Sequence, residues 1–184
     1  MSCFRCKGVS CVRVCRFMRN TINSVVFVCA VIGTLPVSVG ASPPEPGRML
    51  NLSVGQLGID RRLNNRGLYG AELRLQPIDW YQLVPSIGLA ASETDAGFVY
   101  VDVKKDFFLS PHWYVTPAFG VGIFNETREF RLGHSLEFRS GMEAGYRFDN
   151  HYRLGLAVFH LSNGGLSEEN PGTEIVVLSL SIPL

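Results

Sequence analysis

Apolar and polar side chains alternate along most of the chain after residue 49. In the clearest run, from Leu136 to Arg147, every second residue is apolar or small, and the residues between them include charges of both signs, such as Glu137 and Arg139. A period of two places these two sets on opposite faces of a β-strand. Similar runs recur between clusters of Gly, Asn, Asp and Pro. They predict eight strands, at residues 50–59, 66–76, 81–91, 97–109, 112–124, 135–147, 151–162 and 173–183.

The number and length of these strands are typical of an outer-membrane β-barrel. Bacterial barrels of this kind have an even number of strands, and a tilted strand needs about 9–11 residues to cross the hydrocarbon layer. Their connections alternate between short turns and longer loops, and this chain follows that rule. Short connections lie near 77–80, 110–111 and 148–150, and longer polar ones near 60–65, 92–96, 125–134 and 163–172. We therefore predict an all-β fold, an eight-stranded antiparallel transmembrane β-barrel.

A soluble lipocalin-like barrel or a β-sandwich is the alternative fold, because both also have alternating strands but turn the apolar face inward. Charges of both signs on the second face favour the membrane form, in which they fill a narrow lumen as a side-chain network. Two local irregularities accompany the pattern. The first strand loses its phase between Val54 and Leu57, which predicts a β-bulge, and Pro85 and Pro117 each remove a hydrogen-bond donor from the sheet.

The first 41 residues differ in composition from the rest of the chain. Five of the 17 Lys and Arg residues precede an apolar run at residues 25–39, and no acidic residue occurs before Glu45. A basic segment, an apolar segment and the small residues Val39-Gly40-Ala41 are the features of a cleavable signal peptide. We expect residues 1–41 to be the signal peptide, with Met18 as an alternative start, and residues 42–184 to be the barrel. An uncleaved membrane anchor is the alternative interpretation.

The composition of residues 42–184 narrows the range of functions. All five cysteines lie within the first 29 residues, so the expected mature chain has no disulfide, thiolate metal site or cysteine nucleophile. Without the five basic residues of the leader, 12 basic residues stand against 16 acidic ones, a formal charge of −4. Nucleic acid is therefore not expected as a partner, because phosphate binding needs a basic surface.

Polar residues interrupt the apolar face of the last two predicted strands. The outward row of the seventh strand contains Leu156 and Val158 and continues in the same register to His160 and Ser162. Glu174 shares the apolar row of the eighth strand. A loop of roughly ten residues joins the two strands as antiparallel neighbours, so we expect Glu174 to lie opposite the end of the seventh strand.

These residue types can form a catalytic triad. Ser162 would be the nucleophile, His160 the base that takes its proton, and Glu174 the carboxylate that holds the imidazole tautomer. The connecting loop offers oxyanion donors at the end of the same strands. They are the backbone N–H groups of Gly164 and Gly165 and the side-chain amides of Asn163 and Asn170.

Interfacial side chains that meet lipid headgroups are the alternative interpretation of His160, Ser162 and Glu174. Ionisable groups facing lipid are costly, and this cost favours a functional role. The other histidines, His112 and His134 among them, lie at turns without the spacing of metal ligands. No metal and no other cofactor is therefore predicted.

The C-terminal segment LGLAVFHLSNGGLSEENPGTEIVVLSLSIPL, residues 154–184, resembles the PagL-type lipid A 3-O-deacylases. The family pattern is His-x-Ser-Asn, a Gly-containing loop with an Asn, and then a Glu. By position, the resemblance implies that His160, Ser162 and Glu174 are the base, the nucleophile and the acidic member of the triad. It implies further that Asn170 and the backbone of Gly165 belong to the oxyanion hole. Asn163 follows the nucleophile as it does in the family.

This resemblance implies an enzyme of the Gram-negative outer membrane. Its reaction would be hydrolysis of the ester-linked 3-hydroxyacyl chain at position 3 of lipid A, within lipopolysaccharide, without a metal. Two other functions remain open at this point: a non-catalytic barrel for adhesion or envelope structure, and an outer-membrane phospholipase with the same triad. The sequence also leaves open whether the barrel works alone or as a homodimer.

Overall fold

The alternating segments fold into β-strands that form one antiparallel sheet. The structure is a computed structural model that describes residues 47–59, 66–128 and 130–184. The expected signal peptide and the predicted loop at 60–65 lie outside the described residues. The strands are β1 Met49–Leu57, β2 Arg66–Arg74, β3 Leu83–Ser92, β4 Gly97–Lys105, β5 Phe107–Phe108, β6 Trp113–Asn125, β7 Leu136–Arg147, β8 Arg153–Ser162 and β9 Thr173–Pro183.

The sheet closes into a barrel. It has eight strands when β4 and β5 are counted as one interrupted strand. Each strand pairs with the next one in the sequence except β4 and β5, which both pair with β6 in one continuous register, and β1 pairs with β9. The fourth strand of the barrel therefore consists of β4 and β5 together, with an interruption at Asp106. The interruption lies beside Pro117 on β6, which has no backbone N–H to donate. The eight-stranded antiparallel barrel predicted from the sequence is confirmed, and in the described part of the chain no helix is long and apolar enough to span a membrane.

The predicted β-bulge in the first strand is wrong. The pairing of β1 with both β2 and β9 runs without a break from Met49 to Leu57. Leu57 faces inward and is fully buried, whereas Val54 and Gln56 face outward. The apparent loss of phase arises because the interior is apolar at this end of the barrel, so an apolar residue there belongs to the inward row.

The outer surface of the barrel is apolar in the middle of the strands. Side chains such as Leu89, Val99 and Leu156 are more than half exposed. Aromatic residues beside the short turns are also exposed, including Trp80 at 67% and Trp113 at 58%. Apolar strands bordered by aromatic residues are the expected outer surface of a barrel that contacts lipid.

The middle of the lumen is filled by an ion-pair network. Arg74 bridges two carboxylates, with Nε 3.1 Å from Glu72 Oε1 and Nη2 2.7 Å from Glu143 Oε2. Lys104 Nζ lies 3.1 Å from both Glu72 Oε2 and Asp102 Oδ2, and Arg139 also pairs with Asp102. Such buried charges are tolerated only when each has close partners. The lumen is therefore packed with side chains, as predicted, and is not an open pore.

One end of the barrel carries the longer loops and is called here the long-loop end. Its interior is an apolar cluster that includes Leu57, Phe98, Phe124 and Leu161. The loop between β6 and β7 adds Phe130 and Leu132 to this cluster, with exposures of 1% and 0%. This loop therefore closes the barrel interior from above and supports the neighbouring loop between β8 and β9.

Candidate active site

The outward row of β8 runs from apolar residues into polar ones at the long-loop end. Leu154, Leu156 and Val158 are exposed on the barrel exterior, and His160 follows them in the same phase. Ser162 ends the strand on the same face. Alternation on a regular strand fixes this placement, because the intervening residues of β8 are all buried in the interior.

His160 and Glu174 are direct cross-strand partners. They are paired in the register of β8 and β9, and His160 Nδ1 lies 3.2 Å from Glu174 Oε1. Both side chains are a little under half exposed, at 48% and 43%. A carboxylate at Nδ1 stabilises the tautomer in which Nδ1 carries the proton, and this tautomer leaves the lone pair of Nε2 free to act as a base.

Gly172 lies against the other edge of the His160 ring. It is buried, with a φ of 63°, and a Cβ built on it would lie 3.0 Å from His160 Cε1 and 3.4 Å from His160 Nε2. Continuing the register of β8 and β9 by one pair places Gly172 opposite Ser162. The Nε2 edge of the His160 imidazole therefore faces the end of the strand at which Ser162 lies.

Ser162 stands two residues beyond His160, about 6.6 Å along the strand at the usual rise per residue. On its other side it pairs with Phe138 of β7. Among the described residues, the Ser162 hydroxyl makes no hydrogen bond to His160. The structure thus joins two of the three predicted triad residues directly and places the third next to them on the same face. Serine–base hydrogen bonds are often long in proteins without substrate.

Asn163 is fully buried and organises the loop between β8 and β9. Its side-chain amide donates to the carbonyl oxygens of Leu132 at 3.1 Å and Glu169 at 2.8 Å, and to Ser167 Oγ at 3.2 Å. Its Oδ1 accepts the backbone N–H of Gly165 at 2.9 Å. The amide of Asn163 is thus fully engaged within the loop, and the N–H of Gly165 is directed at Asn163 in this structure.

Asn170 is exposed at the far side of the same loop. Its Oδ1 accepts the backbone N–H of Asn163 at 3.1 Å, so the amide group has a defined orientation. In a primary amide the NH2 group points away from the carbonyl oxygen, and its two protons are donors. The NH2 group of Asn170 is thus a hydrogen-bond donor that the contact with Asn163 does not use.

An open apolar groove on the barrel exterior extends to Phe138, the cross-strand partner of Ser162. It has a volume of about 590 Å³ and is lined by outward residues that include Phe138, Phe119, Val101 and Ile87. The rings of Phe119 and Phe138 stack with centroids 6.4 Å apart. This groove lies on the lipid-facing surface and not in the lumen.

Three residues near this site were not predicted from the sequence to contribute to it. The Leu132 carbonyl and Gly133 come from the β6–β7 loop, and Gly172 contacts the imidazole. The alternation of Phe130 and Leu132 within a polar segment was a usable signal for a buried loop. No pattern in the sequence signals a backbone carbonyl as a hydrogen-bond acceptor.

A closed eight-stranded barrel with an apolar exterior and a charged, packed interior is a transmembrane β-barrel of the outer-membrane class. Its polar residues at the outer rim belong to the segment that resembles a known enzyme family. The comparison of the whole chain confirms that resemblance: the model of the family "Lipid A 3-O-deacylase (PagL)" matches residues 56–183, and the chain belongs to this family.

Individual relatives give the same picture. The chain is 36% identical over 73 residues to the lipid A deacylase PagL of Pseudomonas aeruginosa, a match covering 39% of this chain and 42% of the relative. It is 32% identical over 69 residues to the lipid A deacylase PagL of Bordetella bronchiseptica, covering 36% and 39%. The matched segments thus span less than half of either relative.

The fold is also similar to a solved structure. The crystal structure of the outer membrane enzyme PagL superposes with a TM-score of 0.59 at 23% sequence identity. The superposition covers 74% of this chain and 99% of that structure. This similarity confirms the barrel fold.

Proposed function

We propose that this chain is an outer-membrane esterase that removes the 3-O-linked 3-hydroxyacyl chain from lipid A. The observation that carries the proposal is the His160–Glu174 hydrogen bond on the exterior of the barrel, in the same outward row as Ser162. A polar triad on a surface that contacts lipid has a use if its substrate is itself a lipid. Membership of the lipid A 3-O-deacylase family supports this substrate and this bond.

In the proposed reaction, Ser162 Oγ attacks the ester carbonyl carbon while His160 Nε2 takes the hydroxyl proton. Glu174 stabilises the imidazolium that forms. The tetrahedral intermediate collapses as its bond to the sugar oxygen breaks, and that oxygen receives the proton from His160. Water, activated by His160, then attacks the acyl-serine, releases a 3-hydroxy fatty acid and returns the proton to Ser162.

The negative oxygen of the intermediate needs hydrogen-bond donors that are already in place. The Asn170 side-chain amide supplies one, because its orientation is held through its Oδ1. The Gly165 N–H supplies a second when it turns from Asn163 Oδ1 towards the substrate. Asn163 contacts both donors: its backbone N–H holds the Asn170 amide, and its Oδ1 accepts the Gly165 N–H before substrate binds.

Access to the site supports a membrane lipid as the substrate. The long loops of outer-membrane barrels are extracellular, so the long-loop end lies at the outer leaflet, where lipid A is found. Substrate would enter sideways from that leaflet, and the groove that begins at Phe138 would receive an acyl chain. The barrel lumen has no part in this path.

The first test is mass spectrometry of lipid A from a Gram-negative host that expresses either the wild-type chain or Ser162→Ala. We expect loss of one 3-hydroxyacyl group with the wild type only. Identical spectra, with both proteins folded in the outer membrane, would contradict the proposal and favour a non-catalytic barrel. Release of fatty acid from glycerophospholipid alone, by purified protein, would identify a phospholipase.

We also propose that residues 1–41 are a signal peptide removed during export. The intact mass of the protein purified from outer membranes measures this directly. A chain that begins near Ser42 is expected, and a mature protein that retains the apolar run at residues 25–39 would contradict the assignment.

A further inference from the structure

The β6–β7 loop is anchored firmly at the barrel mouth. Phe130 and Leu132 are buried in the apolar cluster of the long-loop end. The Glu126 carboxylate accepts the backbone N–H groups of Leu132 at 2.8 Å and of Gly133 at 2.6 Å. Two buried side chains and a carboxylate that caps two amides fix the course of residues 132 and 133.

This anchored segment contacts the loop that follows the nucleophile. The Leu132 carbonyl accepts a hydrogen bond from the buried Asn163 amide. Gly133 packs directly on the backbone of Glu169: a Cβ at residue 133 would stand 2.3 Å from the Glu169 carbonyl oxygen. Gly133 also has a φ of 88°, a conformation that other residues rarely adopt. Only glycine therefore lets the two loops approach this closely.

The contact between Gly133 and Glu169 is one residue away from Asn170, the proposed oxyanion donor. Glu169 immediately precedes Asn170, and its carbonyl accepts the Asn163 amide. The Asn163 backbone N–H in turn holds Asn170 Oδ1. A displacement of Glu169 would thus move Asn170, while His160 and Glu174 are held by strand pairing and would stay in place.

We propose that Gly133 is a positioning residue for catalysis, which acts through Glu169 and Asn163 to orient the Asn170 amide towards the oxyanion. The β6–β7 loop is then a supporting part of the active site although it contributes no triad residue. This inference rests on the proposed function, since it assigns a role to Asn170 in that reaction.

The test is a double-mutant cycle with purified protein in detergent and lipid A as substrate. Gly133→Ala should lower kcat at least tenfold and leave KM within about twofold, because removing an oxyanion donor outright costs about 10²–10³ in kcat. The double variant Gly133→Ala/Asn170→Ala should be no slower than Asn170→Ala alone, because residues that act through one group are not additive. Gly97→Ala is the matched control. It lies at the same end of the barrel, where a Cβ would meet only the Ala90 carbonyl oxygen at 3.8 Å, and its kcat should equal that of the wild type.

Hydrogen–deuterium exchange provides a second readout that does not need activity. In Gly133→Ala, exchange at residues 163–170 should become faster, while the strand amides of β8 and β9 keep their protection. Unchanged exchange or unchanged kcat in Gly133→Ala would overturn the inference, and so would additive losses in the double variant. An inactive wild type would instead overturn the proposed function, and the exchange measurement would still decide whether Gly133 holds the loop.

Discussion

Replacement of Glu174 by Gln separates the role of this residue in catalysis from its role in stability. The change keeps the size of the side chain but removes its charge. An amide can present its NH2 group to His160 Nδ1, which favours the tautomer with the proton on Nε2. That tautomer cannot accept the proton of Ser162, and the imidazolium also loses its charged partner.

The structure sets the scale of both effects. Loss of the correct tautomer in a serine triad lowers kcat by about 10⁴, which corresponds to about 5.4 kcal/mol at 1.36 kcal/mol for each factor of ten. Both partners are a little under half exposed, at 48% and 43%. Pairs with this exposure contribute about 1 kcal/mol or less to folding. We therefore expect Glu174→Gln to lose about 10³- to 10⁴-fold in kcat and to unfold at nearly the wild-type denaturant concentration.

Activity is measured as release of 3-hydroxy fatty acid from lipid A by purified protein. Unfolding in denaturant is measured by gel electrophoresis, in which the folded barrel and the heat-unfolded protein have different mobilities. Glu174→Asp is the matched control, since it keeps the charge with a shorter reach and should retain more activity than Gln. A kcat for Glu174→Gln within threefold of the wild type, with the protein folded, would refute the argued role. A loss of folding free energy as large as the free-energy equivalent of the loss in kcat would show that the His160–Glu174 pair is structural.

Three further predictions follow from other parts of the barrel. Glu143→Ala removes the carboxylate that pairs with Arg74 and should lower the free energy of unfolding by about 3–5 kcal/mol in urea titrations; a change below 1 kcal/mol would show that other lumen groups replace it. Val158→Lys places a charge on the lipid-facing row and should cost about 2–4 kcal/mol of stability in lipid vesicles, whereas equal stability would place this row outside the hydrocarbon layer. Gly172→Ala should press on the His160 ring and lower kcat at least tenfold with the barrel intact, and wild-type kinetics would show that the ring has room to move.

The strands of the barrel could be predicted from the sequence because each has one face in lipid and one in a charged lumen. This produces an alternation of apolar and polar residues with a period of two. It failed at Leu57, where the interior changes from charged to apolar and the contrast between the faces disappears. The facing positions of His160 and Glu174 were also predictable, since register follows from strand phase and from the length of the connecting loop.

The organisation of the loops was not predictable in the same way. From its place in the chain, the side-chain amide of Asn163 was expected to be an oxyanion donor. Its contacts depend on carbonyl groups of Leu132 and Glu169, and any residue type can supply a carbonyl. The support that the β6–β7 loop gives to the site is therefore visible only in three dimensions.

Two regions of the barrel interior differ in their chemistry. Ion pairs occupy the middle, and an apolar layer capped by Phe130 and Leu132 closes the long-loop end. A water-filled path would have to separate buried charges and also wet the apolar layer, and each step is costly. The protein should therefore accumulate in the outer membrane without making it permeable to small solutes such as antibiotics. A cell could then raise the amount of this barrel freely while the barrier function of the membrane stays intact.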